Sequence, residues 1–251
     1  MNIGSYRGAA SLAAYEKWQA VTSQNIAASS MPGFKKSDVS FESVAGDVMR
    51  TGTRNNAAGG ESRGIMAKAA TKTNFTQGQL RRTGSDLDFA IQGKGFFQVR
   101  QENGEMAYTR DGEFAISPDH KLVTKQGLQV MGNVGPLVLN PGGGVISINS
   151  EGTVMQGDQT IGKLAIFDTK DRQSLHRLGE VMFGTQPGEK LDRVDNPAIV
   201  NGYVEGSNVS PLAEMVNLIT VSRAYEACQK TMTSDGDETD KAIQILGNPQ
   251  A

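Results

Sequence analysis

The stretch Leu218-Ile219-Thr220-Val221-Ser222-Arg223-Ala224-Tyr225-Glu226-Ala227-Cys228-Gln229-Lys230-Thr231-Met232 carries a large or apolar residue at every third or fourth position. Leu218, Val221, Tyr225, Cys228 and Met232 share one helix face, at the a/d spacing of a coiled-coil seam. The register runs on through Asp235 and Thr239 to Ala242 and Leu246, so polar residues interrupt the seam before it resumes. A helix cannot bury so narrow a stripe by itself. It needs a second helix, and the only other long helical stretch lies at the opposite end of the chain.

That stretch, Ile3 to Ser29, is rich in alanine and carries Leu12, Tyr15, Trp18, Val21 and Ile26. Met31-Pro32-Gly33 ends it, because proline lacks a backbone donor and disfavours helical geometry in the residue before it. Alanine faces permit close helix approach but bury little area. At about 25 cal/mol per Å² such a helix gains too little to stand alone in water. The C-terminal helix is announced by Ser210 as N-cap, Pro211 at the first helical position and Glu214 near the positive end of the macrodipole. About 36 residues from there, roughly 50 Å, are helix-compatible, with Gly236 as a weak point. One reading makes both ends ordinary core-facing helices. The favoured one pairs them with each other and with neighbouring molecules.

Between the ends the pattern changes. After Gly33-Phe34-Lys35-Lys36 comes a short apolar cluster (Val39, Phe41, Val44, Val48), and then Thr51–Gly64, which has little to bury and reads as a flexible connector. From Leu87 apolar residues alternate. Gly93-Lys94-Gly95 turns the chain, and Glu102–Glu105 joins two strands as a hairpin. The expected fold is α+β: long N- and C-terminal helices pairing as a coiled coil, with a central antiparallel β domain. Its parts are the helix at 1–35, a partly flexible connector at 36–86, the β domain at 87–204 and the helix at 205–251.

Composition narrows function mostly by exclusion. The 251 residues include 37% hydrophobic residues and 30 glycines, so bulky core formers are exchanged for backbone freedom, which suits many tight turns. The one cysteine, Cys228, cannot form an intrachain disulfide and reads as a small hydrophobe on the seam. Net charge is −2, with no basic footprint for nucleic acid. Residues 1–36 carry roughly +3 and residues 209–251 roughly −3, which favours pairing of the ends. No apolar run reaches membrane-spanning length. The N-terminus lacks an apolar core with a cleavage site, so a cytosolic protein is expected, or one exported with its N-terminus intact. His120 and His176 read as solvated. There is no zinc cluster, P-loop, HExxH or GxSxG. Asp86, Asp88, Asp111 and Asp168 supply carboxylates without any sign that a pair converges. No cofactor, metal or catalytic residue is expected.

Several segments together resemble one family, the axial proteins of the bacterial flagellum in the hook–basal-body rod group. Gln24–Lys35 is similar to the family's N-terminal signature, matching it at Asn25, Ala27, Gly33, Phe34 and Lys35 and departing from it at Gln24, Ala28 and Met31. Asp88–Val99, Tyr108–Phe114, Leu122–Gly127 and Glu151–Val154 resemble its middle segments. Gly202–Val209 (with Gly206 and Asn208), Glu214–Ile219 and Arg223–Glu226 resemble its C-terminal ones. Ala20–Thr22, Gly135–Leu137 and Ser207–Pro211 look most like a proximal rod subunit, with a distal one second; hook subunits are longer.

The resemblance implies terminal helices in an inner tube, a β domain outside, and helical polymerisation into a drive shaft around the export channel. It implies that the partners are the chain itself, other rod proteins and the flagellar type III export apparatus. Export would be without a cleaved signal to a rod that crosses the periplasm, with no membrane insertion and no nucleic acid. The assembly residues expected are Leu12, Trp18, Val21, Ile26, Leu218, Val221, Tyr225, Cys228 and Met232. An enzyme with a β-sheet active site is the rival class. A soluble coiled-coil export or assembly factor is a third, for which the β middle has no role.

Overall fold

The computed structural model describes residues 3–49, 62–186, 188–189 and 191–247. They fall into two compact units, one drawn from residues 1–26, 37–72 and 210–251, the other from 27–36 and 73–209.

The first unit holds helix α1 (Ile3–Ala27), strands β1 (Ser37–Met49) and β2 (Ser62–Thr73), and helix α2 (Pro211–Gly247). The two strands hydrogen-bond to each other as a two-stranded ribbon. Thr51–Gly64, read as a connector, lies outside the described residues as far as 61, and Ser62–Gly64 belong to β2. Helix α2 runs without a break through Gly236 and is about 55 Å long.

The expected coiled coil requires correction. Tyr15 and Trp18, two aromatic residues of α1, stand edge-on to Phe41 of β1, with ring centroids 6.2 and 5.5 Å apart. Lys17 Nζ donates to the Ala69 carbonyl of β2 at 3.2 Å. These two large side chains of α1 are thus spent on the ribbon. Three polar contacts join α1 to α2. Asn25 Nδ2 donates to Glu214 Oε2 at 3.2 Å, Tyr225 Oη to Glu16 Oε1 at 3.3 Å, and Cys228 Sγ to the Gly8 carbonyl at 3.9 Å. These contacts run in opposite order along the two helices, so the helices lie antiparallel. A coiled coil needs apolar knobs from both partners, and Trp18, expected in that seam, is turned to Phe41 of the ribbon instead. The α+β class with a central β domain stands, with the helices and a ribbon sharing a unit of their own.

The second unit is built on a nine-stranded antiparallel sheet. Seven strands run in the order 176–177, 182–184, 106–109, 96–100, 129–130, 122–124, 114–116; strand 166–168 adds to 96–100 and carries 192–193. Strands 146–148, 153–156 and 159–163 form a second sheet, and 198–201 pairs with 89–92. The last strand before α2, Tyr203–Glu205, pairs with Leu80–Arg82. Alternation puts Phe97 and Val99 of one strand and Phe89 and Ile91 of another into a single core with Phe114, Leu122, Val130, Val154 and Ile166. A smaller core gathers Phe96, Tyr108, Leu175, Phe183 and Leu191. The hairpin turn falls at Gln101–Glu105. Its Gly104 has φ +85°, and the Gln101 amide donates to the Glu105 carbonyl at 2.9 Å.

Candidate assembly interface and a buried ionic cluster

Helix α2 presents two faces. Val221 is fully buried, and Leu218, Tyr225, Cys228 and Met232 are half-buried on the side that meets α1. Leu12, Trp18, Val21 and Ile26 of α1 are likewise half-buried. Gly8 admits Met232, since a β-carbon at Gly8 would lie 2.6 Å from its Sδ. The other face of α2 carries Leu212, Met215, Val216 and Ile219, all exposed. Arg223 is exposed too. From Thr233 to Lys241 every side chain of α2 is exposed.

Asn25 closes α1. Its amide oxygen accepts the Ser37 N–H at 3.0 Å while its amide nitrogen donates to the Ser37 carbonyl at 2.9 Å. One side chain thereby satisfies both backbone groups of the residue that opens β1, which no apolar residue could do.

In the second unit an ionic cluster lies inside the protein. Lys35, Glu205 and Arg110 are 1%, 0% and 2% exposed. The Lys35 ammonium is paired with Glu205 Oε1, and Arg110 Nη1 lies 3.0 Å from Glu205 Oε2. Oε1 also accepts the Gly78 N–H at 3.0 Å. Lys35 Nζ donates to the Thr76 carbonyl at 2.8 Å, and Arg110 donates to the carbonyls of Ile91 and Gly93. The Arg110 guanidinium sits over the Phe96 ring, 5.3 Å from its centroid. Burial pulls both cations below their ordinary ranges, and the Glu205 carboxylate pushes them back up. One carboxylate serves two buried cations, so each depends on it.

The remaining motif residues surround this cluster. Phe34 is buried with Ala28, Val181 and Val209, beneath the Arg177 guanidinium at 4.9 Å. Gly33 has φ +71°, and a β-carbon there would stand 2.2 Å from the Asp111 amide nitrogen, so glycine is required twice over. The Gly33 N–H donates to the Glu205 carbonyl at 2.7 Å. The Gly206 N–H donates to the Gln79 carbonyl at 2.9 Å. Asn208 accepts the Lys36 N–H at 2.7 Å and donates to the Asn74 carbonyl at 2.8 Å and the Thr76 carbonyl at 3.0 Å.

Arg110, Glu205 and Glu214 were not singled out as site residues by sequence reasoning. The available signal was a charge at a core-facing position of a short strand, as in Tyr203-Val204-Glu205. Two of the carboxylates noted in the sequence have partners of their own. Asp168 forms a two-pronged pair with Arg172, at 2.9 and 2.8 Å. Asp111 Oδ1 accepts the Glu113 N–H at 3.0 Å, and burial, ahead of the neighbouring Glu113 charge, pushes its carboxyl up to about 6. Among the described residues no helix is long and apolar enough to cross a membrane.

Comparison with known proteins bears on what these faces and buried pairs serve. Residues 90–156 match the family model described as the flagellar hook protein FlgE/F/G D1 domain, and residues 200–245 match that of the flagellar basal body rod FlgEFG protein C-terminal region. The flagellar basal-body rod protein FlgF of Rhizobium meliloti is 34% identical over 250 residues, covering 98% of this chain and 99% of the relative. FlgF of Caulobacter vibrioides is 31% identical, covering 90% and 91%. The rod protein FlgG of Buchnera aphidicola subsp. Schizaphis graminum is 32% identical, covering 90% and 92%. The motif that ends α1, the buried ionic cluster and the start of α2 thus stand in a chain that belongs, along its whole length, to the flagellar basal-body rod protein family and is FlgF-like within it.

Proposed function

We propose that the chain is a structural subunit of the flagellar basal-body rod, of the proximal type, and that it enters the axial drive shaft through its terminal helices. The observation that carries this reading is end-to-end kinship with FlgF proteins, whose lengths the chain spans almost completely. The exposed apolar face of α2 supports a role in association, because such a stripe is costly unless something covers it. The buried carboxylates support a mechanical role, since Glu205 is engaged by two cations, Asp111 by a backbone N–H and Glu214 by the Asn25 amide. The partners on this reading are other copies, other rod subunits and the flagellar type III export apparatus. The place of work is the rod where it crosses the periplasm, reached without a cleaved signal. The chain turns nothing over and needs no cofactor.

Deleting the gene and restoring a tagged copy tests this. The tagged chain should co-purify with hook–basal bodies, and the deletion should abolish motility and leave basal bodies that lack a complete rod. Normal basal bodies without the gene, or a tagged chain confined to the cytoplasm, would overturn the reading.

A further inference from the structure

Helices α1 and α2 meet at contacts that differ in how closely they fix one helix along the other. Cys228 and Met232 of α2 meet α1 at Gly8. Gly4 stands four residues earlier on the same helix, so the same contact can be made one turn, about 5 Å, further along. Tyr225 Oη donates to Glu16 Oε1 at 3.3 Å, but Glu16 is exposed and water can take over that bond. Between these points α1 carries Ala9, Ala10, Ala13 and Ala14, and small side chains present low ridges to a sliding neighbour.

The remaining contact has no equivalent one turn away. Asn25 and Glu214 are 1% and 2% exposed, and Asn25 Nδ2 donates to Glu214 Oε2 at 3.2 Å. Both side chains are steadied from elsewhere. Asn25 is fixed by its two bonds to Ser37, and Asn217 Nδ2 reaches Glu214 Oε1 at 3.5 Å from the next turn of α2. A slide that seats Met232 on Gly4 carries Glu214 from Asn25 to Val21, whose side chain has no donor. The opposite slide drives Met232 onto Leu12. One buried polar pair thus selects one alignment, and a hydrogen bond to a charged group biases such a choice roughly 10- to 100-fold.

We propose that the Asn25–Glu214 pair is a register pin. It sets how far along α1 the C-terminal helix of the same chain lies, while the apolar contacts supply the adhesion. Asn25 and Glu214 are therefore positioning residues. A one-turn slide would displace every side chain of α2 by about 5 Å along its axis, and a subunit that must fit identical neighbours cannot present two such surfaces. That use rests on the rod reading above, whereas the pin itself is a property of the single chain.

Double electron–electron resonance on the free, full-length chain reads the register. Spin labels are placed at Ala20→Cys and Glu238→Cys, both exposed positions, in a Cys228→Ser background. The parent should give one distance. Glu214→Leu should keep the parent's helix content by circular dichroism and add a second population about 5 Å longer, with the slipped fraction raised about tenfold or more. Glu214→Gln keeps an acceptor for the Asn25 amide and should return the single parent distance. The pin is overturned by a parent that already shows both distances, by a Glu214→Leu chain without the longer one, or by a Glu214→Gln chain that slips as far as the leucine variant. Should leucine unfold the helices, Glu214→Ala, which adds no bulk, is read in the same way. Because the measurement uses the free chain, absence of the parent from basal bodies would overturn the rod reading and leave the pin decided.

Discussion

Replacing Glu205 by glutamine removes one negative charge and almost no volume. In the parent, Oε1 takes the Lys35 ammonium and the Gly78 N–H, and Oε2 takes Arg110 Nη1. A glutamine has one acceptor oxygen and one NH₂. Whichever way it turns, the NH₂ faces either the guanidinium or the ammonium and the Gly78 amide, donor against donor. Two buried cations are left without a counter-charge. Breaking a buried pair in this way costs about 3–5 kcal/mol, a large share of the roughly 5–15 kcal/mol that holds a folded domain together. Taking about 4 kcal/mol, the melting temperature of the unit containing the sheet should fall by about 10 °C. Urea unfolding followed by near-ultraviolet circular dichroism reads the change directly. Adding Lys35→Met should return about 2 kcal/mol, because one stranded charge has been removed. An unfolding free energy for Glu205→Gln within about 1 kcal/mol of the parent, the scale of a solvated pair, would refute the reasoning.

Asp111→Asn isolates a second buried charge. The Asp111 pKa is raised from 3.8 to about 6, so the folded state holds its proton more tightly than the unfolded one. The resulting stability is complete below about pH 4 and is lost as pH rises through about 6. Asparagine keeps the acceptor for the Glu113 N–H, so Asp111→Asn should stabilise the protein at pH 7 by up to about 3 kcal/mol and flatten stability between pH 4 and 7; an unchanged pH profile would count against it. Gly33→Ala should cost about 3 kcal/mol, from positive φ and a backbone clash, and should show as a lowered urea midpoint with an unaltered slope. Asn25→Ala removes both bonds to Ser37 and should cost about 2 kcal/mol, with faster amide exchange at Ser37.

Some element boundaries are legible because they rest on local chemistry. Ser210-Pro211 starts α2 and the glycine-bearing turn at Gln101–Glu105 joins two alternating strands, whereas α1 ends at Ala27, five residues before Pro32. The coiled coil was misread because spacing shows which residues share a face but not what they face. Trp18 is expected in the helix seam with Leu12, Val21 and Ile26, but its ring partner is Phe41 in a strand. That strand's mate, Ser62–Thr73, carries three alanines and two lysines, and little in its propensity announces a strand. The outward stripe of α2 went unread because the inward register begins at Leu218, just after it. The ionic cluster was half visible. Lys35 stood out as a motif residue, but its partner Glu205 lies 170 positions away, and Arg110 lies 95 from Glu205. Only the folded sheet brings the three together.

The central claim is that this chain is a structural piece of the flagellar rod. A cryo-electron microscopy map of basal bodies isolated from cells carrying the chain tests it most directly. The account expects density for α1, α2 and the sheet unit in the axial rod, in several helically related copies below the hook. A complete, fully assigned rod with no density for this chain would contradict it.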